Sequence, residues 1–169
     1  PLDSTFSEIN IWTSPKPTGG TIDILPVPGS INLFNLTASG WSAHECTQPL
    51  RYSFEFLSST GDWLKLSPYL SMESTTVTLP FSNNEPHNTS VRVRVRNRFE
   101  EESEAITSVI VEPSLFTDGS EIVQWVEAMI NQTMKVLLNG SLFDGELETR
   151  INVLTEIVIT AKPLINELL

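Results

Sequence analysis

Gly40-Trp41, a polar loop, and then Pro49-Leu50-Arg51-Tyr52-Ser53-Phe54-Glu55-Phe56 decide the fold of this chain. From Leu50 the apolar side chains alternate. Leu50, Tyr52, Phe54 and Phe56 fall on one face, and Arg51, Ser53 and Glu55 on the other. Successive side chains of an extended backbone point to opposite sides, so this pattern predicts a half-buried β-strand. Trp41, just before it, is large enough to plug the end of a sandwich core.

The same period recurs on both sides of this strand. Upstream, Ser7 to Thr13, Thr21 to Leu25 and Ile31 to Thr37 read as strands, with Phe34 and Leu36 as core. Downstream come Trp63 to Leu66, Thr75 to Leu79, Thr89 to Asn97 and Ala105 to Val111. Proline and glycine punctuate the series, as in an antiparallel β-sandwich. Alternating aromatics of this kind fit a fibronectin-III-like or an immunoglobulin-like sandwich equally well.

After Pro113 the period becomes helical. Asp118 with Glu121 forms a start signal, and Ile122, Trp125, Val126, Met129, Ile130, Met134 and Leu137 follow on one predicted face. Gly140 fits a helix stop. A second predicted helix carries Leu147, Ile151, Leu154, Val158, Ala161, Ile165 and Leu168, with a break near Pro163. The predicted organisation is a sandwich over residues 1–112 and a helical hairpin over residues 113–169, a segment that could lead into a further module. Two helices alone cannot bury both stripes, so the sandwich, a neighbouring module or another chain must cover the rest. Leu147, Ile151, Leu154 and Val158 are therefore interaction candidates.

The chain has 169 residues, of which 40% are hydrophobic, and a formal net charge of −11. An acidic protein lacks the basic footprint that nucleic acid and anionic membrane require, so neither is expected as a partner. No apolar run is long enough to span a bilayer. The chain opens at Pro1 without a basic-then-apolar leader, and is expected to be a piece of something longer. Cys46 is the sole cysteine. It either pairs outside this chain or is a buried free thiol. Four Asn-x-Ser/Thr triplets begin at Asn35, Asn88, Asn131 and Asn139. They are glycosylation acceptors if the chain enters the secretory pathway. Asn88 is the favoured one, because it follows a turn rich in Asn and Pro.

Other clusters are weighed by what their chemistry needs. His44-Glu45-Cys46 gathers three potential metal ligands, but neighbours on an extended chain point apart and no second cluster completes a zinc site. The run Glu100-Glu101-Glu102 with Glu104 reads as a solvated hairpin tip rather than a calcium site. Arg92, Arg94 and Arg96 form a basic stripe. It is either an anion site or one side of cross-strand pairing with the strand that carries Arg51 and Glu55. No nucleophile elbow, P-loop or zinc-protease motif is present, so no enzyme, metal or cofactor is expected.

Gly20, Pro26, Gly29, Phe34, Gly40-Trp41, Pro49-Leu50, Tyr52 and Phe54 together resemble the receptor-for-egg-jelly (REJ) module of polycystin-like proteins and sperm receptors. Val91, Val93 and Val95 resemble that module's Val-x-Val-x-Val strand. The loop Ser42-Ala43-His44-Glu45-Cys46 departs from the family, which often has an acidic residue soon after Gly-Trp. The resemblance implies a non-catalytic ectodomain of a large membrane protein, with polycystin-like channels and cilia as context. It also implies protein or glycan partners, including neighbouring modules. A tile of an extracellular filament is the alternative.

Overall fold

Tyr52, Phe54 and Phe56 point into the space between two antiparallel sheets, where they are 3%, 0% and 2% exposed. A computed structural model describes residues 13–30, 32–80, 86–112, 119–139 and Thr155. Its elements run in chain order: β1 (Thr21–Pro26), β2 (Leu33–Ser39), β3 (Arg51–Leu57), β4 (Trp63–Lys65), β5 (Ser74–Thr78), β6 (His87–Arg96), β7 (Glu102–Val111) and α1 (Gly119–Asn139). The smaller sheet has the order β1-β2-β5, and the larger β4-β3-β6-β7. The chain is thus a β-sandwich followed by a helix.

The core follows from the alternation. Ile22, Phe34, Leu36, Ala38 and Val77 enter it from the smaller sheet. Leu64, Val91, Val93 and Val95 enter from the larger. β6 begins at His87 and β7 at Glu102, earlier than the apolar pattern suggests. Ten residue pairs, from His87↔Val111 to Arg96↔Glu102, hold this hairpin together, and polar residues extend its strands, His87 and Asn88 on β6 and Glu102 to Glu104 on β7. Most of the predicted Ser7–Thr13 strand lies outside the described residues.

α1 shares the core of the sandwich, with Ile122, Trp125 and Met129 buried against it. Gln132 fastens the helix to the open edge of β5. The Thr78 amide donates to Gln132 Oε1 at 2.7 Å, and Gln132 Nε2 donates to the Thr78 carbonyl at 3.4 Å. The predicted apolar face is narrower than expected. Ile130 and Met134 are 41% and 43% exposed. Each helical residue turns by about 100°, so both stand well round the axis from Met129, which meets the sheets. One helix is described where a hairpin was expected. Leu147, Ile151, Leu154 and Val158 lie outside the described residues.

Candidate functional site

The outer face of the larger sheet brings the sequence-predicted arginines together. On β6, Arg92, Arg94 and Arg96 stand opposite Glu55, Ser53 and Arg51 of β3 on one side. On the other side they stand opposite Ile106, Glu104 and Glu102 of β7. Alternation aims all of these away from the core.

Each guanidinium has a carboxylate. Arg92 donates through Nε to Glu55 at 2.7 Å and through Nη1 to Glu104 at 3.0 Å. Arg94 lies 3.8 Å from Glu55 and pairs with Glu102. Arg96 donates through Nε to Glu102 at 2.6 Å and pairs with Glu100. Arg51 reaches Glu100 at 2.8 Å. Four arginines meet four glutamates, so the stripe is electrically neutral. The run from Glu100 to Glu104 is therefore not merely a solvated tip, because Glu100, Glu102 and Glu104 neutralise the arginines.

Two aromatic side chains edge this ladder, and no local pattern marks either for that role. The Trp63 ring stacks on Arg92 at 4.3 Å, and the Tyr69 ring on Arg96 at 4.1 Å. Tyr69 gets there through a bulge. Leu66 and Ser67 both donate to the Phe54 carbonyl, and Leu70 exchanges two 2.8 Å hydrogen bonds with Tyr52. The five residues from Leu66 to Leu70 thus lie opposite three on β3, Tyr52 to Phe54. The surplus loops out and re-aims Tyr69 across the face. The same loop covers Ser53, whose Oγ donates to the Ser67 carbonyl at 2.9 Å.

The ladder shifts the titration of its members. Burial pushes the Tyr69 phenol up, and its hydrogen bond to Glu102, at 2.6 Å, pushes it further. Burial also pushes the Glu102 carboxyl up. The Tyr69 hydrogen bond and the charges of Arg96 and Arg94 outweigh that, and hold it below its ordinary value. On the core side, burial and Glu73 raise the Tyr52 phenol to about 12.

Asn97 closes the β6–β7 turn and is fully buried. Its Oδ1 accepts from Phe99 N at 2.8 Å and Glu101 N at 3.1 Å. Its Nδ2 donates to Ser14 Oγ and the Pro15 carbonyl, which ties down the chain that leads into β1.

The remaining candidates are dispersed. Cys46 is an exposed free thiol, not a buried one, and its Sγ lies 2.8 Å from His44 Nδ1 in a 3₁₀ turn, Glu45–Thr47. That turn puts the thiol on the loop surface rather than on a core-facing strand. Asn35 is exposed on β2 and accepts from Thr76 Oγ1 at 2.6 Å. Asn88 is exposed within β6 rather than in the turn before it. Asn131 is exposed on α1 and lines a shallow groove of 360 Å³ with Leu33, Leu66, Pro68 and Thr76. Nothing is described of the Asn139 side chain. Among the described residues, no helix is long and apolar enough to cross a membrane.

Comparison with known proteins bears on the whole of this arrangement. No curated protein matches the chain. It is similar to the crystal structure of the PKD1 domain of Vibrio anguillarum Epp, at 10% identity over 60% of this chain and 100% of that one. The TM-score of 0.39 is too low to carry an inference. The family model of the REJ domain matches residues 1–147, a span that takes in both sheets, the arginine ladder and α1. By that match the chain belongs to the REJ domain family.

Proposed function

We propose that the chain is a non-catalytic extracellular module of a polycystin-like membrane protein, at the cell surface and in particular the ciliary membrane. It positions neighbouring domains and meets protein or glycan partners. REJ family membership over residues 1–147 carries this reading. The arginine face refines it. Because every guanidinium already holds a carboxylate, a free anion gains little there. A neutral hydrogen-bonding surface edged by Trp63 and Tyr69 suits a sugar or a polar protein surface better. Asn35, Asn88, Asn131 and Asn139 are the acceptors such a location would offer to glycosylation.

An antibody to the folded chain should stain intact, unpermeabilised cells that make the parent protein. Staining only after permeabilisation would overturn the extracellular reading.

A second reading, a tile of an extracellular filament, is favoured by the exposed Ile106 and Ile110 on edge strand β7. A tile self-associates in its native, glycosylated form, whereas a positioning module sediments as a monomer.

A further inference from the structure

Among the described residues, β7 is the last strand of the larger sheet, ten residues long and hydrogen-bonded to β6 alone, with β1 of the smaller sheet lying near it. Ile106 and Ile110 project from its outer face, 55% and 62% exposed. A long edge strand with exposed apolar side chains is a template for pairing with another chain. At the Glu102 end the ladder of opposite charges occupies this face. Toward the Val111 end the strand's outward residues, Ile106, Ser108 and Ile110, carry no charge, and the exposed Glu112 follows just past the strand.

Asn88 stands at that uncharged end. In the register of β6 and β7 it lies directly opposite Ile110. Paired side chains of this kind have Cβ atoms about 4.5–5.5 Å apart. Asn88 is exposed, and among the described residues its side chain makes no hydrogen bond. The β3–β6 pairing stops at Val91, so the Asn88 end of β6 overhangs its other neighbour. Asn35, by contrast, is held by Thr76 in the smaller sheet. Asn88-Thr89-Ser90 is a complete acceptor triplet.

We propose that Asn88 is glycosylated and that its oligosaccharide shields Ile110, Ile106 and the edge of β7 from strand pairing. The inference rests on the extracellular reading. In the transfer, Asn88 Nδ2 bonds to the anomeric carbon of an oligosaccharide carried on a lipid pyrophosphate. The bond from that carbon to the pyrophosphate oxygen breaks, the lipid pyrophosphate leaves with the electron pair, and Nδ2 gives up one proton. Ile106 lies four residues along the strand from Ile110, about 13 Å away. An oligosaccharide spans that length and a single sugar does not.

The test uses the chain secreted from animal cells, with peptide mass spectrometry and sedimentation over a range of concentrations. Asn88 should be occupied and the wild type monomeric. Asn88→Gln, and separately Ser90→Ala, which removes the triplet but keeps Asn88, should shift the protein to dimers and larger species. Adding Ile106→Thr and Ile110→Thr to Asn88→Gln should return it to monomer. Asn131→Gln, which removes a different triplet, should change nothing. A bare Asn88 beside occupied triplets elsewhere overturns this inference and leaves the extracellular reading standing. Four bare asparagines overturn both. An occupied Asn88 whose loss leaves folded, monomeric protein in both variants overturns the shield.

Discussion

Gly20 lies directly beneath the Trp41 indole: a Cβ at position 20 would stand 2.1 Å from Trp41 Cδ2. Thr18 and Ser42 clamp the two segments together with backbone hydrogen bonds of 2.9 and 3.0 Å. The two backbones therefore stay together, and an added methyl group must displace the ring itself. Gly20→Ala should cost about 1–3 kcal/mol, the usual penalty of overpacking. The same substitution in a Trp41→Ala background should cost far less. Equal costs in the two backgrounds, by urea unfolding, would show that the ring is not what excludes a side chain.

Phe54 is fully buried in the shared core. Phe54→Ala should cost about 3–5 kcal/mol, lost burial plus the cavity left behind. A loss of less than about 1 kcal/mol in denaturant unfolding would contradict its central place in the core.

Glu55 and Glu100 both bind arginines, but in different surroundings. Glu55 is 3% exposed between Arg92 and Arg94, whereas the Arg51–Glu100 pair is 43% and 56% exposed. Glu55→Gln should cost about 1.5–3 kcal/mol, as for hydrogen bonds to charged groups. Arg51→Gln should cost less than about 1 kcal/mol and lose its effect in salt. Unfolding at two ionic strengths separates them; equal costs would mean that burial does not rank these pairs.

Stability should fall in acid in two stages. Burial lowers the His87 pKa from its ordinary 6.5. The unfolded chain then takes up a proton that folded His87 resists, and stability declines as pH drops below 6.5. Glu102 sits below its ordinary 4.5, so its contribution is complete above that pH and is lost as pH falls through the folded value. His87→Gln should flatten the first stage and Glu102→Gln the second. Urea midpoints between about pH 2 and pH 8 measure both. A wild-type midpoint that stays constant from pH 6.5 to 5 would remove the His87 stage.

α1 exposes Val123, Ile130 and Met134 on the side away from the sheets. We expect the stripe of Leu147, Ile151, Leu154 and Val158 to cover part of this surface. Leu154→Asp should then lower helicity by circular dichroism while leaving the sandwich transition unchanged. Amides 147–161 that exchange as fast as those of an unfolded peptide would sink this expectation.

The sequence by itself determined the strands, their inward faces and the presence of α1. Side-chain direction along a strand or helix is local geometry, so the alternation from Leu50 to Phe56 already marked Tyr52, Phe54 and Phe56 as core. What the arginines do was decided only by the tertiary structure. Arg92 finds Glu55 from 37 residues away. Strand order and register set that meeting, and neither is written in local periodicity. Tyr69 reaches Arg96 because two surplus residues bulge out, and no pattern around Pro68 announces it. The width of the buried face of α1 was likewise a matter of docking. Helical period put Ile130 and Met134 on one broad stripe, and the position of the sheets left them in solvent.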